Sequence, residues 1–379
     1  MHASPTLTRR ALLGTVAGTA ALLGLGTVGY VAARPSGRQL LAPVDTAYAL
    51  GAAGPDVLRI TPQGSVIARA TLPDPATGLT PVPASGRVVA AVTGKDRLWS
   101  LAGDDLGGVR ELSLHHPPEI VAARPGRDQI AFAGIGAGAV TLVDAATLAV
   151  LARATGLAAP HDLRFDADGA RLHVSLLDMP EIVTLEADTL RPVSSLRLPF
   201  PRGIDHMSAT VDGRWGIAAS PGHAGVAIVS LEGTVGAIEI LALETPIARA
   251  YTGPRGDLVW LPSTSEPAIF RIDLTGNRTI ERIAVRALVN AMVFEPFATT
   301  MLALHEDGIT RIDRAGRVTG TCSARAASGA VIESAVGTML LGTDGHVAFQ
   351  RSHRPLDPLP LPAPQAFSIA SATSLSYCH

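Results

Sequence analysis

Along most of the chain, apolar and polar positions alternate in short phrases of four to six residues, each closed by Gly, Pro, Asp or Asn. A period of two over such lengths predicts half-buried strands. No stretch of the body carries the three-and-four spacing of an amphipathic helix. One unit shows the pattern in full. Asp162 to Phe165 leads to a turn from Asp166 to Gly169, then Arg171 to Ser175, Glu181 to Leu185 and Val193 to Leu198, rich in the β-branched residues that suit a pleated surface.

The unit repeats. Gly86, Gly126, Gly169, Gly213 and Gly256 are spaced by 40, 43, 44 and 43 residues, and the beat continues through Ala298 to Gly337. Four strands per period of this length can bury their faces only against neighbouring copies, as propeller blades do. The expectation is therefore an all-β fold, an eight-bladed β-propeller of four-stranded blades over residues 44–379. Seven blades is the alternative if the segment from Pro355 to Pro364 does not pair. The last phrase, Phe367 to Leu375, has no strands after it, while Ala47 to Leu50, Val57 to Ile60 and Val66 to Leu72 lack an innermost strand. The two ends should complete one shared blade and so remove exposed sheet edges.

The run Pro160-His161-Asp162-Leu163-Arg164-Phe165-Asp166-Ala167-Asp168-Gly169 resembles the propeller repeats of the YVTN type and of the haem d1-binding propellers. That resemblance implies architecture. Propellers host hydrolases, oxidoreductases, carriers and scaffolds, so activity must come from a site.

Composition removes some function classes. The net charge is −2 and the basic residues are scattered, which excludes the electrostatic footprint of a nucleic-acid binder. Two cysteines, Cys322 and Cys378, are too few for a disulfide framework. At the start, Arg9-Arg10 precedes an uncharged stretch from Ala11 to Ala33. This resembles a twin-arginine export signal over residues 1–35, with Val31-Ala32-Ala33 offering small residues for cleavage. It lacks the Phe and Lys of the fuller motif. The same 23 residues are long enough to serve as a membrane anchor, and that would be the chain's one membrane contact. Either way the body is expected outside the cytoplasm, in the periplasm.

In a propeller, the loop entering each innermost strand and the loop joining the second and third strands share one face, around the mouth of the central channel. Aligning the Gly turns places Leu79, Glu119, Asp162, His206, Arg249, Ala291 and Ala330 at one equivalent position, with His161, Asp205 and Asn290 just before it. His115, His116, His223, His305 and His346 fall on loops expected at the same face. Imidazoles and carboxylates from separate loops suit zinc or another transition metal. The ligand candidates are His161, Asp162, Asp205, His206 and His223. Glu119 and Arg249 are candidates for holding a cofactor, and the Arg249 guanidinium suits the carboxylates of a tetrapyrrole. His and Asp also cap turns in loops of this kind with no ligand at all.

Three readings stay open. The first is a carrier of a metal ion or metal-containing cofactor, similar in outline to periplasmic zinc metallochaperone propellers and haem d1-handling propellers, with a periplasmic protein as partner in the hand-over. The chain lacks the His-rich tract often present in zinc carriers. The second is a propeller lactonase or hydrolase, with Glu119 or Asp162 as base, His206 as its partner and Arg249 on an anionic substrate. The third is an interaction scaffold. Tyr377-Cys378-His379 is a further candidate metal-binding group or simply a frayed end.

Overall fold

The computed structural model describes residues 46–371, apart from positions 53, 93, 232–235, 237, 296–299, 324–326, 335–336, 343, 353 and 363–364. Residues 1–35, read above as an export signal or anchor, and Tyr377-Cys378-His379 lie outside the described residues.

Strand formation follows the alternation. The second and third strands are largely buried on both faces because both are covered by neighbouring blades, while fourth strands such as Val150–Thr155 and Pro192–Arg197 alternate between half-buried and exposed. Eight four-stranded antiparallel sheets result. The blade with the fullest sequence pattern consists of Pro160–Phe165, Arg171–Leu176, Glu181–Glu186 and Pro192–Arg197, within two residues of the expected limits. It is the fourth blade in chain order. The fifth begins with His206–Ala209 and the sixth with Tyr251–Thr252.

The two ends of the chain close the ring as expected. Ala366–Ser371 pairs with Ala47–Gly51 and becomes the innermost strand of the first blade, outside which lie Asp56–Ile60 and Val66–Thr71. The proline-rich segment does pair, through Leu359–Pro360 against Phe349 and Ala348. That pairing completes the eighth blade and settles the count against seven.

The apolar core is divided in the same way. Eight clusters of buried side chains each span one junction between neighbouring blades, and the cluster joining Ala47, Leu58 and Ile60 to Met339, Leu341 and Phe349 seals the last blade to the first. A blade alone would leave both faces wet, so the hydrophobic gain is realised only on stacking.

Turns between third and fourth strands show how the repeat absorbs strain. Leu106, Leu148 and Leu190 occupy the left-handed region, at φ 59°, 62° and 53°, and all three side chains are buried. Left-handed backbone disfavours a branched side chain, and burial of the leucine between blades offsets that cost. At the corresponding turn of the sixth blade, Arg278 (φ 55°) lays its guanidinium 4.6 Å from the Trp215 ring centroid and pairs with Glu239 of the fifth.

Candidate functional site

The mouth-side ends of the fourth, fifth and sixth innermost strands carry the polar residues singled out in the sequence. Two of them form a buried pair. Asp162, in the fourth blade, lies 3.3 Å from His206 Nδ1, and both side chains are almost wholly shielded from solvent. Asp162 Oδ1 accepts the Leu163 N–H at 2.9 Å, and Oδ2 accepts the Met207 N–H of the fifth blade at 3.0 Å. Arg164 Nη2 adds a contact at 3.2 Å, while its Nε donates to the Met207 carbonyl at 2.9 Å. Burial alone would raise the Asp162 carboxyl, but Arg164, His206 and the Met207 N–H together outweigh it and hold the pKa at about 2.

His206 is committed on both sides, since Nε2 reaches the Ala250 carbonyl of the next blade at 3.3 Å. Both of its partners are acceptors, so each contact is filled only when that nitrogen carries hydrogen. Burial pushes the imidazole's pKa down against the pull of Asp162. Asp162 and His206 therefore act as a clamp through three blades, with both ring nitrogens of His206 turned to protein oxygens.

His161 is arranged differently. Its Nδ1–H donates to the Asp205 carbonyl across the same blade boundary at 2.8 Å. A carbonyl only accepts, so Nδ1 carries the hydrogen and Nε2 keeps the lone pair. This is the tautomer and backbone brace typical of a metal-ligating histidine. Asp205 is half-buried, its Oδ1 has no hydrogen-bond partner, and burial raises its pKa against the fields of His206, His161 and Arg249. Arg249 is exposed. Gly203 shapes the loop that delivers Asp205, because a Cβ there would lie 1.7 Å from the Leu177 carbonyl oxygen.

The other expected members are apart from this group. Glu119 is clipped to its own blade, its Oε2 accepting the Ile135 N–H at 2.5 Å. His223 rests against Phe200 with ring centroids 5.0 Å apart. His116 and His305, read as loop histidines of the same face, are both buried packing groups. His116 bonds Pro117 O and Thr141 Oγ1, and His305 bonds Leu288 O and Thr310 Oγ1. His115 and His346 are exposed. Among the described residues, no group of three or more His, Cys, Asp or Glu is placed to hold a metal ion. His161, Asp162, Asp205, His206 and His223 are thus not gathered into a closed ligand set.

Two site features escaped the sequence reading. Arg164 is the charge that stabilises Asp162, and its position two residues along one strand was the available signal. Ala159 takes φ 52° just before Pro160-His161, and an alanine gives no warning of that. Beside it, an open concavity of about 470 Å³ is lined by Ile135, Gly138, Leu157, Ala159, Leu177 and Asp178.

The sequence matches no protein-family profile and no curated protein. Its fold is shared widely among solved structures. Dihydro-heme d1 dehydrogenase NirN in complex with DHE superposes with a TM-score of 0.67 at 16% identity, over 90% of this chain and 78% of that one. Apo AztD from Citrobacter koseri gives 0.65 at 12%, over 86% and 96%. BamB from Moraxella catarrhalis gives 0.58 at 17%, over 82% and 92%. The class is an eight-bladed β-propeller, and the resemblance to haem d1-type repeats holds at the level of fold.

Proposed function

We propose that this chain is an exported propeller that binds a carboxylate-bearing, metal-containing cofactor of the tetrapyrrole class at its channel mouth. The observation that carries the reading is the His161 brace, which leaves one imidazole nitrogen as a ligand without a second or third protein ligand beside it. A bare zinc ion needs three or four protein ligands. A tetrapyrrole supplies four nitrogens of its own and asks the protein for one or two axial ligands. The donor set at the mouth therefore fits the second and not the first.

His161 would hold the metal through Nε2. Arg249, exposed on the same arc, would pair with peripheral carboxylates. When bound, such a group supplies metal-centred ligand or electron chemistry. The chain's own contribution is placement: the Asp162–His206 clamp locks the three blades that carry His161, Asp205 and Arg249. NirN, which shares the fold, acts on dihydro-heme d1, and that accords with the reading. The twin-arginine-like segment over residues 1–35 would deliver the body to the periplasm, where a protein partner would donate or receive the cofactor.

The test is the content of the protein purified after export from a host that makes tetrapyrroles. A visible absorption band with near-stoichiometric metal supports the reading. Zinc at one equivalent with no chromophore would replace it with an ion carrier.

A further inference from the structure

The junction between the fourth and fifth blades contains a row of polar side chains that runs outward from Arg164, at the clamp, to the outermost strand. Strand register places Arg164, His173, Thr184 and Ser194 directly opposite one another, from the innermost strand to the outermost. Ser175, two residues from His173 along its strand, pairs with Ile182 and shares their face. That face is turned to the fifth blade, since Ile182 packs with Met207, Ala218 and Ala227, whereas Leu172, Val174 and Leu176 pack against the third. A polar stripe thus crosses a junction whose other side is apolar and includes the small residues Ala218 and Ala227.

These groups are not satisfied by protein atoms. His173, Ser175 and Thr184 have no measurable exposure. His173 Nδ1 meets Thr184 Oγ1 at 3.1 Å, but His173 Nε2, Ser175 Oγ, Ser194 Oγ and Arg171 Nη1 are buried without a partner. The other buried histidines among the described residues, His116, His206 and His305, have both ring nitrogens in contact with polar atoms. A buried donor or acceptor left unmade costs about 1–3 kcal/mol, and native proteins meet that cost with ordered water where the wall is polar and small side chains leave room. Ala218 and Ala227 face the stripe as such small groups.

We propose that this junction holds a file of internal waters running from Ser175, below the channel mouth, past His173 and Thr184 to Ser194 at the rim. The file hydrates the seam between two blades that the Asp162–Met207 contact clips together at its inner end. It also links the underside of the mouth to bulk solvent by a path independent of the mouth. This inference does not depend on what the mouth binds.

Long-lived internal waters are counted by deuteron and oxygen-17 magnetic relaxation dispersion, on the wild-type full chain and on Ser175→Ala and Ser194→Ala. The expected result is a smaller dispersion amplitude in each variant, together with a melting temperature equal to or below that of wild type. Unchanged amplitude in both variants overturns the proposal, whatever their stability. A rise in melting temperature for Ser175→Ala would agree with that outcome, since deleting a dry, unpartnered hydroxyl removes a penalty. Far-ultraviolet circular dichroism confirms that each variant is folded, and a crystal structure showing apolar contact along the stripe would overturn the proposal independently.

Discussion

His161 Nδ1 stands 2.8 Å from the carbonyl oxygen of Asp205, one blade away, so the ring is oriented by a backbone group and not by a side chain that could titrate. This makes His161 a fixed feature of the ring of blades. Its Nε2 lone pair is set by the fold itself, before any ligand arrives.

The clamp beneath it should be costly to break. Asp162→Asn keeps the shape but removes the charge that Arg164 and His206 face, leaving the Arg164 guanidinium partly buried and uncompensated. Breaking a buried pair in this way costs about 3 kcal/mol. Urea unfolding of the variant at neutral pH should show that loss, with an unchanged m-value.

Acid stability follows from buried imidazoles. Burial, with Arg171 nearby, lowers the His173 pKa from 6.5 to about 4. Above pH 6.5 neither the folded nor the unfolded form is protonated there, so the group has no effect. As pH falls from 6.5 to 4 the unfolded chain takes up the proton first, and stability drains by about 3 kcal/mol before levelling off. His206 and His305, also lowered mainly by burial, act with the same sign. His173→Gln should flatten its share of the slope in urea titrations across this window. An unchanged slope would show that His173 is not the buried neutral group described here.

Closure predicts all-or-none behaviour at the C-terminus. Removing residues 366–379 strips the first blade of its innermost strand and exposes the cluster around Ala49, Leu58 and Ile60. The truncated chain should aggregate or lose its cooperative thermal transition, which scanning calorimetry and light scattering would report.

Much of this architecture was legible before any coordinates. The glycine beat gave the period, and the unmatched strands at the two ends, Val66 to Leu72 and Phe367 onward, gave the shared blade. The site was legible only in part. The structure brings His161, Asp162, Asp205 and His206 near one another, but their partners lie 43 to 45 residues away across a blade boundary. Sequence pattern carries no record of which atom meets which at that distance. His305 looked like a loop histidine because it closes the apolar strand Met301–His305, and His116 does lie in a loop, but its ring turns inward to Thr141. The polar stripe of His173, Ser175 and Thr184 was hidden by ordinary strand alternation, since inward polar residues at period two read as a solvent face.

The most direct test of the account is titration of the purified, apo full chain with haemin, read from the Soret band, in wild type, His161→Ala and Arg249→Ala. The account predicts saturable one-to-one binding with a histidine-ligated spectrum in wild type. His161→Ala should lose that ligand signature while the protein stays folded, and Arg249→Ala should weaken affinity by roughly tenfold, the loss of one charge-assisted contact. Equal binding and identical spectra in all three proteins, or no saturable binding in wild type, would contradict it.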